Sequence, residues 1–345
     1  MSEVDIGGRA KKILHAVVSE YLATGEAVGS QTVTRRYGLD VSAATVRNVM
    51  GDLEEQGLLK HTHTSAGRIP TDRGLRYYVD TLLRVRSLSA GEKDEIRERF
   101  SGAAPDVPEV MHRTSRLLRE LSHLTVVVQA PRPETDVIEH LEFVKLREGQ
   151  LLAVIASSSG QIQNKLVPVD VPIGPSELDM INNYLNSLMA GLTLDQVRAR
   201  LASEIESERA THDTLAARAL QLASAAVPGD AAPAAEVFVD GQSNLLSGQT
   251  DVERAKMLLR TLEEKDLIVK LLDRTLSAPG ICVFIGAEAN LADLTDISVV
   301  ASPYGSEGRP LGTIGVIGPS RMNYSRVLPL VDFTAEMISD VLARP

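Results

Sequence analysis

Residues 42–76 read SAATVRNVMGDLEEQGLLKHTHTSAGRIPTDRGLR. Ser42 suits a helix N-cap, and Val46, Val49, Met50 and Leu53 recur behind it at helical spacing. This predicts a helix from Ala43 to about Gln56 with Gly57 as its stop. Leu58 to His63 reads as a short strand with an exposed polar end. Thr64-Ser65-Ala66-Gly67-Arg68 has the composition of a tight turn, and Ile69-Pro70-Thr71 returns as an edge strand, where proline is tolerated. Thr71 then caps a helix that continues through Tyr78, Val79, Leu82 and Leu83. Working backward, Ile13, Leu14, Val17, Val18, Tyr21 and Leu22 mark a helix over residues 9–24, and Ser30 caps a short one from Gln31 to Tyr37. Helix, helix, turn, helix, hairpin, helix is a winged helix-turn-helix pattern.

A helix-turn-helix reads duplex DNA by laying the N-terminal half of its second helix in the major groove. At 100° per residue, with Val46 facing inward, Ala44, Asn48, Gly51 and Glu55 point away from the core and Arg47 and Asp52 flank them. Ala44 suits a thymine methyl, Arg47 guanine or phosphate, and Asn48 adenine. Ser42 and Thr45 suit phosphate at the helix N-terminus, and Arg35 and Arg36 on the preceding helix suit the backbone. Glu54 and Glu55 repel phosphate and belong at the far end. In the hairpin, Lys60, His63, Ser65 and Arg68 are candidates for minor-groove or phosphate contact. His61 and His63 also read as a metal pair, but no third ligand stands at a suitable spacing. Arg73 and Arg76 read equally as phosphate contacts or as plain surface.

The charge follows the same division. Residues 1–76 net +1, whereas the remainder nets −11, within a 345-residue chain of formal charge −10. Such an acidic body fits no uniformly basic coat and no membrane-surface protein. The N-terminus lacks the apolar core of a signal peptide, and no run approaches the ~18 residues of a spanning helix. One cysteine rules out a disulfide framework within the chain, and a reducing cytoplasm fits. Cys282 lies in the apolar strand ICVFI and reads as a buried small hydrophobe instead of a nucleophile. Neither a Walker A nor a GxGxxG signature is present, so the composition favours no enzyme.

Beyond the head, residues 85–122 read as charged helix broken near Gly102 and Pro105. Strands follow at Leu124–Gln129, Ile138–Leu146, Leu151–Ala156 and Gln161–Val169. A helical block covers 175–226, and residues 227–235 (VPGDAAPAA) have linker composition. Glu236–Val239, one or two amphipathic helices over 251–276, three more strands (Ile281–Ile285, Ile297–Ser302, Thr313–Ile317) and a final helix from Leu328 to Ala343 complete the chain. Strands, a helical block and strands again make an α+β chain with an inserted helical unit.

The stretch ATVRNVMGDLEEQGLLKHTHTSAGRIPTDRGLRYYVDTLL (44–83) closely resembles the heat-inducible transcription repressor family HrcA. LTDISVVASPYGSEGRPLGTIGVIGPSRMNYSRVLPLVDF (294–333) resembles that family's last segment. The resemblance implies a winged-helix domain (1–84), a helical connector (85–104), a GAF-like domain in two parts (105–172 and 237–345) and an inserted, mainly helical dimerisation unit (173–236). It implies a homodimer that binds the inverted-repeat operator called CIRCE ahead of chaperone operons and blocks transcription until heat shock. A GroEL-type chaperonin is implied as modulator of that activity. No cofactor, metal or membrane partner is expected. Leu178, Ile181, Leu185 and Leu188 form an apolar stripe at helical spacing, readable either as the dimer contact or as packing within its own domain. A GAF-like fold also admits an alternative, a small-molecule-gated regulator of other genes.

Overall fold

The computed structural model describes residues 6–38, 40–61, 67–100, 107–131, 137–158, 160–169, 171–211, 214–227, 236–246, 265–276, 278, 280–290, 296–306 and 309–343. The first helix, α1 (Gly8–Thr24), is followed by α2 (Ser30–Arg36) and α3 (Ala43–Glu55). A two-stranded antiparallel hairpin comes next, β1 (Leu59–His61) with β2 (Arg68–Pro70), in the register Leu59↔Pro70 and His61↔Arg68. Helix α4 (Asp72–Tyr77) runs on into a π-helical turn, Tyr78–Leu82, where an uninterrupted α-helix was expected. Ile13, Leu14, Val17, Val33, Val46, Met50, Leu53, Leu58 and Leu75 form one buried core for all of these elements. Gly74 is required there. A Cβ on it would stand 2.0 Å from the Leu58 carbonyl oxygen, so only glycine lets α4 lie against the hairpin.

Helices α5 (Ala90–Arg99) and α6 (Val107–Ser122) lead to β3 (Thr125–Gln129). The expected connector at 85–104 is not a free spacer. Ile96 and Phe100 are buried in the same core as α6, and Lys93 and Arg97 lie over the Phe333 ring. Strands β4 (Ile138–Arg147), β5 (Gln150–Ser157) and β6 (Ile162–Pro168) form a separate three-stranded meander. Helices α7 (Pro175–Met189), α8 (Leu194–Thr211) and α9 (Thr214–Ala226) pack on one face of it.

The chain then returns through β7 (Val237–Asp240), α10 (Gln242–Leu246), α11 (Lys265–Leu276), β8 (Cys282–Ile285), β9 (Ile297–Ser306), β10 (Arg309–Pro319) and α12 (Tyr324–Leu342). The expected helices before Lys265 fall largely outside the described residues. Five strands make an antiparallel sheet in the order β7-β3-β10-β9-β8. Side-chain alternation divides its two faces: Val126, Val128 and Val316 meet α6 and α12, whereas Val127, Val299 and Ile317 share a cluster with Ile268 and Leu272 of α11.

This architecture moves one expected boundary. A division at 172/173 cuts through a single core that joins Leu141, Phe143, Ile155 and Val167 of the meander to Ile181, Leu185, Val197 and Ala223 of the helices. The strands from 138 to 168 therefore belong with the helical block and not with the five-stranded sheet. The block is helix on sheet, not mainly helical. Its ends meet: the Ala130 amide donates to the Glu236 carbonyl at 2.8 Å, continuing the β3–β7 ladder across the point where the chain leaves and returns.

Candidate nucleic-acid interface

Helix α3 owes its start to Ser42, whose hydroxyl accepts from the Thr45 amide at 3.1 Å and lies 3.0 Å from the Thr45 hydroxyl. Both groups expected to meet phosphate are thus engaged in the cap, at a helix end whose amide dipoles favour anions. Val46, Met50 and Leu53 are buried. Ala44, Arg47 and Asn48 are exposed in the first turns, with Asp52 and Glu55 exposed further along. The exposed tip is therefore small, cationic and amide-bearing, and its acids lie toward the other end.

Several of the other candidate cations have partners within the chain. Arg36 on α2 bonds Glu20, a carboxylate of α1 that is only 7% exposed. Arg36 therefore neutralises a buried charge, while Arg35 beside it is exposed. Arg68 does not project from the hairpin as a wing contact. Its side chain is 15% exposed and its Nε donates to Glu54 Oε2 at 2.8 Å. That hydrogen bond, with the Arg68 charge behind it, holds the Glu54 carboxyl below its ordinary value. Glu54 is thereby removed as a repulsive group and becomes the tie between α3 and the hairpin. The Arg68 backbone is fixed too, exchanging hydrogen bonds with Val28 at 2.9 and 3.0 Å.

Arg73 donates to the Gln56 carbonyl at 3.3 Å, a cation at the C-terminal end of α3, where the dipole favours it. Lys60 and His61 are exposed on β1. His63 and Ser65 lie outside the described residues, as does most of the hairpin turn. Arg76 reaches across to the body. It bonds Glu288 and the Val283 carbonyl of the body, and Asp80 of its own helix at 3.2 Å. Burial works against the charge on both Arg76 and Glu288, yet the pair holds each in its ionised form, with Glu288 lowered and Arg76 raised.

The assembled surface thus consists of Ala44, Arg47 and Asn48 on α3, with Arg35 and Lys60 exposed on neighbouring elements. Arg36, Arg68 and Arg73 are each tied to a partner within the chain. The sequence marked these cations as candidate contacts, with Arg73 readable equally as plain surface. Nothing along the chain shows which of them meet a carboxylate or a carbonyl fourteen or more residues away.

The stripe on α7 is likewise spent internally. Leu178, Ile181 and Leu185 are buried in the core against the meander and α9, and Leu188 packs against the same cluster. These residues are not an open contact face. The exposed apolar surface of this unit lies on the other side of the meander, where the rows Val144–Leu152–Leu166 and Ala156–Ile162 run across the strands. Val144, Leu146, Ile162 and Leu166 are all at least 40% exposed.

Cys282 is half-buried on edge strand β8, less covered than its apolar surroundings suggested. Burial raises its thiol pKa, the opposite of an activated nucleophile. Among the described residues no three metal-ligating side chains come together, and no helix is long and apolar enough to cross a membrane.

A family model described as the HrcA protein C-terminal domain matches residues 108–328. The chain is 45% identical over 340 residues to the heat-inducible transcription repressor HrcA of Geobacter sulfurreducens, covering 98% of each. It is 41% identical over 344 residues to the protein of the same name from Syntrophobacter fumaroxidans, covering 99% of each. Among solved structures, a crystal structure of a hypothetical protein superimposes with a TM-score of 0.62 at 24% identity, covering 98% of this chain and 99% of that one. That likeness concerns the fold alone.

Proposed function

Because the chain belongs to the HrcA family of heat-inducible transcription repressors, we propose that it represses heat-shock genes by presenting the tip of α3 to the major groove of an operator. The observation that carries this is the capped N-terminal half of α3, with Ala44, Arg47 and Asn48 exposed and the helix tied to its hairpin by Arg68–Glu54. We read residues 6–83 as a winged helix, and the five-stranded sheet with α5, α6, α11 and α12 as a GAF-like domain. Residues 131–235 are then the unit inserted in that domain.

The operator in this reading is an inverted repeat of the CIRCE type. A two-fold site calls for a two-fold protein. The dimer contact we infer is the open face of β4–β6, where Val144, Leu146, Ile162 and Leu166 are exposed on either side of a row that carries Glu142 and Asn164, since large apolar side chains exposed together mark interaction sites. Modulation by a GroEL-type chaperonin belongs to the same reading. Only the family supports it.

The test is an anisotropy titration against an operator duplex and a scrambled duplex at two salt concentrations. The expected result is a preference for the operator of roughly three orders of magnitude or more, with two protomers per duplex. Asn48→Ala should lose about 1–3 kcal/mol of that preference while binding the scrambled duplex as before. Equal loss on both duplexes would reduce Asn48 to a backbone contact. Equal, weak binding by the unaltered protein, with and without chaperonin, would overturn the reading.

A further inference from the structure

The head carries a second concavity, distinct from the exposed face of α3. It lies between α1, the residue after α2 and the segment leaving the π-helical turn. Its volume is about 400 Å³, and its lining is Lys11, Lys12, His15, Tyr37, Leu82 and Arg84. Among these described lining residues there is no carboxylate. Of the acids nearby among the described residues, Glu20 bonds Arg36 and the Tyr37 hydroxyl, and Asp80 bonds Arg76. Lys12 and Arg84 are exposed, and the His15 ring is half-buried with its centroid 5.6 Å from that of Tyr78. Burial, with the nearby charge of Arg84 added, holds His15 below its usual value.

The exposed cations Lys12 and Arg84 stand at the rim of a wall that is otherwise mainly apolar, and they raise the positive potential there. Ammonium and guanidinium groups beside an imidazole match an anion with several acceptor oxygens, and charge-assisted hydrogen bonds of this kind are the strong ones. Leu82 and the Tyr37 ring offer apolar wall to whatever carries that anion. The π-helical turn ends at Leu82, and single π turns recur at functional sites.

We propose that this pocket is a phosphate site, filled either by a backbone phosphodiester of bound DNA or by a free phosphate. The first source rests on the DNA-binding reading above, and the second is independent of it.

The experiment uses the full chain and the double variant Lys12→Gln/Arg84→Gln, two exposed positions, with circular dichroism to check folding. If folding is disturbed, Lys12→Gln alone replaces it. In the first arm, DNA affinity is measured against salt on operator and scrambled duplexes. Occupation by DNA lowers the slope of log affinity against log salt by about 1–2 and weakens both duplexes alike, because each lost phosphate contact removes about one released counterion. In the second arm, inorganic phosphate is compared with chloride at matched ionic strength. Occupation by free phosphate raises the melting temperature of the unaltered protein and not of the double variant.

His15 gives a readout that plain stabilisation would not move. Its surroundings are Lys11 and Lys12 on its own helix, Tyr37, the Tyr78 ring and Arg84. An anion seated among them favours the imidazolium, so the His15 titration seen by NMR moves up when phosphate or duplex is added. Lys12→Arg/Arg84→Lys should keep every effect. An unchanged slope together with an unchanged melting temperature and an unmoved His15 overturns the proposal. Loss of operator preference in the unaltered protein would instead overturn the DNA reading, and the phosphate arm would still decide the pocket.

Discussion

Glu20 is the one carboxylate among the buried residues of α1, 7% exposed and satisfied by Arg36. Removing one partner of a buried pair leaves a charge in low dielectric, a loss of about 3–5 kcal/mol when both partners are buried. Arg36 is 64% exposed, so solvent relieves part of this, and Arg36→Ala should destabilise the head by about 1–3 kcal/mol in urea unfolding. Glu20→Gln in the same chain should restore most of the loss, because the uncompensated charge is then gone. If the double variant is no more stable than Arg36→Ala, the effect was packing. Glu54 makes a related point about pH. Its folded pKa lies below the unfolded value because Arg68 bonds the ionised form. The stability it contributes is complete above the ordinary carboxylate range and is lost as pH falls through the depressed folded value. Arg68→Gln should abolish that acid-side component in a pH series of melting curves. The sequence marked Arg36 and Arg68 as candidate DNA contacts. It did not show their acids, because Glu20 and Glu54 lie sixteen and fourteen residues away and meet them only through the fold.

At the scale of elements, period alone identified the buried face of α7 without saying what covers it. Leu178, Ile181 and Leu185 mark an inward stripe whether the cover is the same chain or another. The structure supplies the meander, and Asn182 and Asn186 reach across to bond the backbone of Phe143 and Leu141 at 2.7–3.2 Å. Leu185→Ala should therefore act as a core truncation, costing about 2–5 kcal/mol while leaving the association state of the folded protein as it was. Leu166→Lys, on the open face of the same sheet, should do the reverse. It should leave the melting transition of the unit nearly unchanged and shift sedimentation toward monomer. A dimer that survives Leu166→Lys and fails in folded Leu185→Ala would return the contact to α7. Strand existence was legible in this region, because β4, β5 and β6 all stand near their expected positions. Sheet membership was not, since apolar strands carry no label for the sheet they join.

Across the whole molecule, head and body meet in a polar joint. Arg76 bonds Glu288 and the Val283 carbonyl, the Ala287 amide lies 3.5 Å from Asp72, and the Arg86 amide donates to the Ser325 carbonyl at 3.3 Å. Ile285 of the body is buried in the core of the head. Gly25, at φ +73°, has Arg321 so close that a Cβ would meet its guanidinium. Local pattern could not show this joint, because Arg76 and Glu288 are separated by 212 positions. Glu288→Gln keeps the shape and removes the charge, and Arg76 is then half-buried without its main partner. The head should loosen, so that its amides exchange hydrogen faster while those of β9 and β10 hold their protection. Uniform change, or none, would mean that the joint is not what holds the head. The adjoining ends of residues 131–235 have a consequence of another kind. Since β3 and β7 are paired in register up to Gln129↔Val237, and Ala130 meets Glu236, the whole meander-and-helix unit occupies the place of a hairpin loop. Loop-closure entropy rises only logarithmically with length, so the host sheet loses little by carrying so long a loop and little by exchanging it. A short glycine turn put there should leave a head and host that still fold and, on the proposed dimer contact, a chain that no longer pairs. Operator affinity could then be measured one half-site at a time.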